Sequence, residues 1–456
     1  MQRIESAIEC AVKSRRYGAL ITETFDLARS QARSAVDKGL RPFPVVVKDC
    51  FAVQGYPMTC ASKMLENYVP PYTATVVRRL VSKGNYIGGC VIGKANMDEF
   101  CMGTSSLLGH FGPVKSPHTE SVEDDWFVSG GSSGGSAVAV QLGIAEVGLG
   151  SDTGGSSRNP AAFSGIFGLK PTYGVLSRYG LVPLVNSLDV PSIMAKNAST
   201  CWKYLEAMMG IDENDSTSVE LPLSAGCSSL AGLRIGIPLE YHNEFLSDDA
   251  YKVWNHASNV LKREGAEVVQ VSLPHTRYSL VCYQVLSAAD IASNMARYDS
   301  IEYGHRSDNE KSTFDLYASS RSDAFNTVVK RRIMAGNYFL MRENRKHFFD
   351  KALRIRRKIA NEIYDVFKSV DLLITPTATG PAPLYSKLRS GFYRREDQDD
   401  FYTQPANLAG VPAISIPFGR SSDNLPIGVQ LIGNLLKDRL VCDVAQLLYE
   451  SSQTSR

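Results

Sequence analysis

The 456 residues include 49 Lys and Arg against 47 Asp and Glu, a formal net charge of +2, and 44% are hydrophobic. This is the make-up of a globular chain with ample core. It supplies no basic field for gripping nucleic acid, so any RNA that takes part is held mainly by another chain. The nine cysteines show neither CxxC nor Cys/His spacing, which argues against a zinc site or a disulfide frame and for buried thiols in a reducing compartment. No apolar run of about twenty residues offers a membrane span.

Residues 4–38 read as helices, with Ile4, Ala7, Ile8 and Ala11 at three- and four-residue spacing. Arg3, Lys13, Arg15 and Arg16 lie near Glu5 and Glu9. Transit peptides are poor in acids, so the stretch is a weak targeting signal and reads more simply as a first structural helix. Pro42 and Pro44 close this region. Residues 44–47 form a short β-branched strand with Lys48 at its carboxyl end, followed by Asp49 and a loop over 55–62. Open α/β sheets gather functional groups at that end, which makes Lys48 a candidate site residue and not only a solvated lysine. Cys50 reads as packing. A loop leads into a helix near residues 73–80, and residues 87–93 read as a strand.

Two Gly/Ser clusters, 130–136 and 150–157, flank an apolar segment. So many glycines mark tight turns or a backbone that approaches a ligand closely. A phosphate loop does not fit, because no Lys-Ser or Lys-Thr follows the glycines. Residues 130–134, Gly-Gly-Ser-Ser-Gly, match the GxSxG pattern of a nucleophile elbow. That elbow requires a firm strand before it and an Asp and a His later in the chain, whereas only Trp126, Phe127 and Val128 precede it and the last histidine is His347. A flexible linker is disfavoured by the apolar character of residues 137–149.

Ser132 and Ser156, twenty-four positions apart in their glycine surroundings, taken with Lys48, resemble the amidase signature family. NMDEF at 96–100, MGTSS at 102–106, the run from His110 to Pro117 and RNPAAF at 158–163 narrow the resemblance to the glutaminase chains of tRNA-dependent amidotransferases, the mitochondrial members above all. Ser157 departs from the family pattern, in which an apolar residue is common.

Further along, residues 201–209 read as a helix and the acidic stretch 212–220 as a surface loop. Residues 233–238 and 268–273 read as strands around an amphipathic helix at 251–264, a β-α-β order that places helices on a partly parallel sheet. Residues 278–358 are mostly helical. A strand is expected near 372–377, a charged loop over 384–400, strands at 413–418 and 427–432, and a final helix from Arg439.

The resemblance implies an α/β fold, one amidase-signature domain over 1–456 with a mixed sheet covered by helices on both faces. Its parts would be N-terminal helices to about 40, a Ser/Gly-rich core at about 42–190, and a helical and sheet completion from about 230. It implies a catalytic Lys48, Ser132 in a cis peptide and nucleophilic Ser156, with oxyanion donors at Thr153, Gly154 and Gly155. Arg332 would hold the α-carboxylate of glutamine and Asp400 its ammonium, with Tyr283 adding a hydrogen bond. Asn294 and the segment 297–299 would close over the substrate. No metal or cofactor is expected in this chain. ATP and Mg2+ would serve a B subunit that, with a small third subunit, completes the assembly and takes most of the contact with Glu-tRNA(Gln). The mitochondrial matrix is the expected location, or the cytoplasm for a bacterial chain. A stand-alone amidase for another small amide and a non-catalytic scaffold remain the alternatives. The Arg332–Asp400 pairing argues against the first, and retention of Lys48, Ser132 and Ser156 against the second.

Overall fold

The computed structural model describes residues 1–82, 87–119, 125–222, 224–309, 311–389 and 395–453. Its centre is an eleven-stranded sheet. In chain order the strands are β1 (Leu20–Glu23), β2 (Phe43–Lys48), β3 (Gly89–Ala95), β4 (Val147–Asp152), β5 (Phe167–Lys170), β6 (Val190–Ala195), β7 (Arg234–Pro238), β8 (Glu267–Val271), β9 (Leu372–Pro376), β10 (Ala413–Arg420) and β11 (Pro426–Gly433). Across the sheet they lie β1-β3-β2-β4-β6-β5-β10-β11-β9-β7-β8. Strands β3, β2 and β4 are mutually parallel, as are β9, β7 and β8, while the middle of the sheet is antiparallel. The sheet is therefore mixed.

Side chains on a strand alternate between faces, and here both faces are covered. Val45, Val47 and Val91 join one core, with residues of the helices Thr75–Val81 and Ala198–Met208. Val46, Cys90 and Ile92 point into the other, against the helices Gln2–Lys13, Phe25–Asp37 and Gly134–Leu142. A strand buried on both faces must be apolar throughout, which is why β2 reads as a continuous run and not as an alternation. Lys48, at its end, is the polar residue that this burial then has to accommodate.

Several expectations need revision. Residues 4–38 are two helices separated by β1, an edge strand of four half-buried residues too short to show a period. The sequence pattern does not single out β5 or β6; β5 has four residues and is packed between strands distant in sequence. Residues 384–400 are not one loop, because helices occupy Tyr385–Arg389 and Arg395–Ala409. The part of that expected loop at 390–394 lies outside the described residues. Residues 212–220 are a loop, but an anchored one, with Asp212 accepting from Ser177 Oγ at 2.6 Å and Asp215 from the Arg178 N–H at 2.8 Å. All nine cysteines are free thiols. Among the described residues no helix is long and apolar enough to cross a membrane.

Candidate active site

The parallel register of β2, β3 and β4, with Lys48 opposite Ala95 and Val47 opposite Leu149, brings three exits side by side. Lys48 ends β2, the NMDEF segment leaves β3, and Thr153-Gly154-Gly155-Ser156 leaves β4. The segment ahead of the helix Gly134–Leu142 reaches the same place through Gly130, at φ +74°, and a cis Gly131–Ser132 peptide. A Cβ on Gly131 would overlap the carboxylate of Asp98, so this close approach admits only glycine.

Lys48 is fully buried. Its Nζ donates to Ser132 Oγ at 2.8 Å and to Ser151 Oγ at 2.9 Å. The Ser133 N–H donates to the Ser156 carbonyl at 3.0 Å, drawing the two serine segments together. Ser132 is buried, whereas Ser156 is partly open, as a group that meets substrate must be. Among the described residues no hydrogen bond joins the Ser132 and Ser156 hydroxyls; in empty sites such contacts are commonly loose and tighten only around substrate. The sulfurs of Cys50 and Cys101 approach Ser151 Oγ at 3.8 and 3.5 Å, so the thiol read as packing also borders the lysine's anchor.

One expected oxyanion donor is corrected. The Gly155 N–H donates to Asp152 Oδ1 at 2.9 Å, and an N–H already given to a carboxylate is not free for an oxyanion. Thr153, Gly154 and Ser156 itself are the remaining candidates on this loop.

Asp152 and Arg158 form a fully buried ion pair, with Arg158 Nη2 2.9 Å from Asp152 Oδ1. Arg158 also donates to the Thr403 carbonyl at 3.0 Å, to Gln430 Oε1 at 2.6 Å and to Asn407 Oδ1. Burial alone would raise the Asp152 carboxyl, but Arg158, together with Lys170 and Asn407, brings it far below the usual carboxylate range. Asp98 follows the other sense: burial raises it, against the Ser106 N–H and the charge of Lys48.

The three groups expected to read substrate come from three helices. Tyr283, on Ser279–Met295, lays its ring over Gly154, where a Cβ would stand 3.0 Å from two ring carbons. Arg332, on Thr327–Leu340, is half-buried and donates to Ser287 Oγ at 3.4 Å. Asp400, on Arg395–Ala409, accepts from Gln404 Nε2 at 3.0 Å. Burial pushes the Tyr283 phenol well up, with the Asp400 charge adding to this and Arg332 opposing it, so the three share one electrostatic neighbourhood. Thr403, one turn past Asp400, donates to the Gly154 carbonyl at 2.6 Å.

Other expected contributors are placed elsewhere. Asn294 donates to the Leu184 carbonyl at 3.1 Å and to Asn186, Arg297 turns back to the Asn294 carbonyl, and Tyr298 packs on Phe100 and Phe325. These contacts fix a neighbouring loop and the core. Ser157, the departure from the family pattern, is buried and bonded to Ser192 and to the Ser151 carbonyl. Sequence reasoning missed Ser151, Asp189, Thr403 and Asn407. Only Ser151 lies inside the glycine cluster, and the others reach the site through contacts a linear reading does not contain. Among the described residues no three His, Cys, Asp or Glu side chains are grouped to hold a metal ion.

Comparison with known proteins agrees with this geometry. Residues 4–442 match the Amidase family. The chain is 45% identical to the A subunit of the mitochondrial glutamyl-tRNA(Gln) amidotransferase of Anopheles gambiae, over 97% of this chain and 92% of that one. It is 43% identical to the corresponding human protein, over 95% and 87%. The crystal structure of the same subunit of the Thermotoga maritima glutamyl-tRNA(Gln) amidotransferase superposes with a TM-score of 0.74 at 34% identity, covering 97% of this chain and 93% of that chain. By the extent of these matches, the chain belongs to the amidase family.

Proposed function

We propose that this protein hydrolyses glutamine as the A subunit of a glutamyl-tRNA(Gln) amidotransferase, supplying ammonia for the conversion of Glu-tRNA(Gln) to Gln-tRNA(Gln). The observation that carries the reading is the convergence of Arg332, Tyr283 and Asp400 on the loop that bears Ser156, itself beside the Lys48–Ser132 pair. A cation and an anion set apart from a nucleophile suit a substrate that is a zwitterion at one end and an amide at the other.

An amide carbonyl is a weak electrophile, so the site has to activate the attacking group, receive the oxyanion and protonate the leaving nitrogen. In this reading Ser156 Oγ attacks the side-chain carbon of glutamine and passes its proton to Ser132, whose own proton goes to a neutral Lys48. As the tetrahedral adduct collapses, the same relay returns a proton to the nitrogen, and ammonia leaves. The glutamyl ester on Ser156 is then cleaved by water, which uses the relay again and releases glutamate. Ser132, held to Lys48 at 2.8 Å, is the part of this relay that geometry supports most directly.

The ammonia would be used in a B subunit, where ATP and Mg2+ activate Glu-tRNA(Gln), with a small third subunit completing the complex. The mitochondrial matrix is the proposed location, since both eukaryotic relatives described above carry that organelle in their names. The test is ammonia release from glutamine, with and without candidate partner chains and Glu-tRNA(Gln). Glutaminase activity that disappears in Ser156→Ala, with transamidation only in the presence of partners, is the expected result. Tight, salt-sensitive tRNA binding by the chain alone would count against the division of labour.

A further inference from the structure

Asp189 directly precedes β6, and β6 pairs with β4 in a register that sets Val190 opposite Asp152. This brings Asp189 beside Thr153, the first residue beyond β4. The carboxylate is buried, and its two oxygens serve two different loops. Oδ1 accepts from the Thr153 hydroxyl at 2.7 Å, and Oδ2 accepts from the N–H groups of Leu184 and Val185 at 2.8 and 2.9 Å. The second loop is itself braced. Asn294 holds the Leu184 carbonyl at 3.1 Å, and Arg356 donates to the Ser187 carbonyl and hydroxyl, both at 2.8 Å. Asp189 therefore transfers the rigidity of two helices to the entrance of the Ser156 loop.

The rest of that loop is held from other directions. Thr403 takes the Gly154 carbonyl and Asp152 takes the Gly155 N–H. With those groups occupied, the orientation of the peptides on either side of Gly154 depends on how Thr153 is fixed, and Asp189 is the group that fixes the Thr153 side chain. We propose that Asp189 is a positioning residue for the reaction: through the Thr153 hydroxyl it aims the N–H donors that meet the oxyanion. The proposal rests on Ser156 being the nucleophile. A donor misaimed by a fraction of an ångström loses its value in the transition state while substrate binding, read by Arg332 and Asp400, is untouched.

The experiment is steady-state kinetics of glutamine hydrolysis in the assembled amidotransferase, for Thr153→Val, Thr153→Ser, Asp189→Asn and the double variant Thr153→Val with Asp189→Asn. Thr153→Val is expected to lower kcat by roughly a hundredfold with KM within about threefold, and Thr153→Ser, which keeps the hydroxyl, to recover most of the loss. The double variant should be no worse than the poorer single one, because the two changes break one contact. Asp189→Asn is the change more prone to misfold, so Thr153→Val and its serine rescue decide the matter. Native kcat in Thr153→Val, a loss in KM alone, or additive losses in the double variant would overturn the proposal. Acid-quenched native enzyme separates this from the underlying reading. A glutamyl adduct on Ser156 with an unaffected Thr153→Val variant removes only the role of Asp189, and an adduct on another residue removes both.

Discussion

Thr403 donates its hydroxyl to the carbonyl of Gly154 at 2.6 Å, which ties the helix carrying Asp400 to the loop carrying Ser156. A Cβ at Gly155 would overlap the same threonine, so the two segments are in direct contact and not merely near one another. Substrate reading and nucleophile placement are thereby joined. A buried hydrogen bond of this kind is worth about 1 kcal/mol net, more where its loss strands a carbonyl. Thr403→Val is expected to reduce kcat/KM for glutamine by roughly tenfold at unchanged fold, as measured by initial rates and far-UV circular dichroism. Full activity in that variant would show that the tie is not used.

The lysine and two serines act as a unit in the proposed relay, so losing any one should approach the loss of all. Ser156→Ala, Ser132→Ala and Lys48→Ala are each expected to lower glutaminase turnover by at least about a thousandfold, and Ser156→Ala to abolish the covalent adduct seen by intact mass. Turnover persisting in Lys48→Ala would remove the base from the mechanism.

Arg332 and Asp400 position substrate without touching the reacting atoms. Arg332→Lys gives up the fork that matches a carboxylate, and Asp400→Asn the charge that answers an ammonium, at a cost of about 2 to 4 kcal/mol in transition-state binding. Both variants should fail with glutamine yet still let Ser156 react with a small uncharged acylating reagent. Normal efficiency with glutamine in both would favour a broader amidase.

Arg158 is wholly buried and bonded to Asp152, Thr403, Gln430 and Asn407. Replacing it with Met leaves the Asp152 charge without its partner, a change that typically costs 3 to 5 kcal/mol, about the same being expected here. Urea unfolding should show a midpoint lowered accordingly. A midpoint equal to that of the native chain would mean Asp152 is satisfied by its other donors alone.

Glu99 accepts from the Asn326 N–H at 2.9 Å and from the Ser62 hydroxyl. Burial, only partly offset by those bonds, raises its carboxyl from 4.5 to about 7. The folded chain therefore binds this proton more tightly than the unfolded chain. This group's contribution to stability falls as pH rises from about 4.5 to about 7, by about 3 kcal/mol at the upper end, and is level above that. In Glu99→Gln the decline should be absent. The check is the difference in unfolding free energy between the two proteins at pH 5 and pH 8, and an equal change in both would refute the assignment.

Local chemistry already determined much of this protein. A β-branched run buried on both faces makes β2 a strand wherever it is placed, and Lys48 is its last residue by sequence alone. Ser247 before Asp248 and Asp249, with Lys262 and Arg263 at the far end, marks the helix Asp248–Arg263 by cap and dipole, independent of any neighbour. Glycines at 130, 131, 154 and 155 announce close backbone approaches, and Gly131 against Asp98 and Gly155 against Thr403 bear this out.

Tertiary structure decided what those approaches are for. β1 and β5 are short segments stabilised by partners far away in the chain, so no local period betrays them. Whether the Gly155 N–H faces an oxyanion or Asp152 depends on a buried carboxylate whose charge is held by Arg158, and Arg158 in turn is satisfied by Thr403, Asn407 and Gln430 from the other end of the sequence. Asp189 is indistinguishable from a surface acid until β6 is laid against β4. Hydrogen bonds between residues so far apart in sequence depend on the packing of whole elements, and that is why their partners are fixed by the fold and not by the residues beside them.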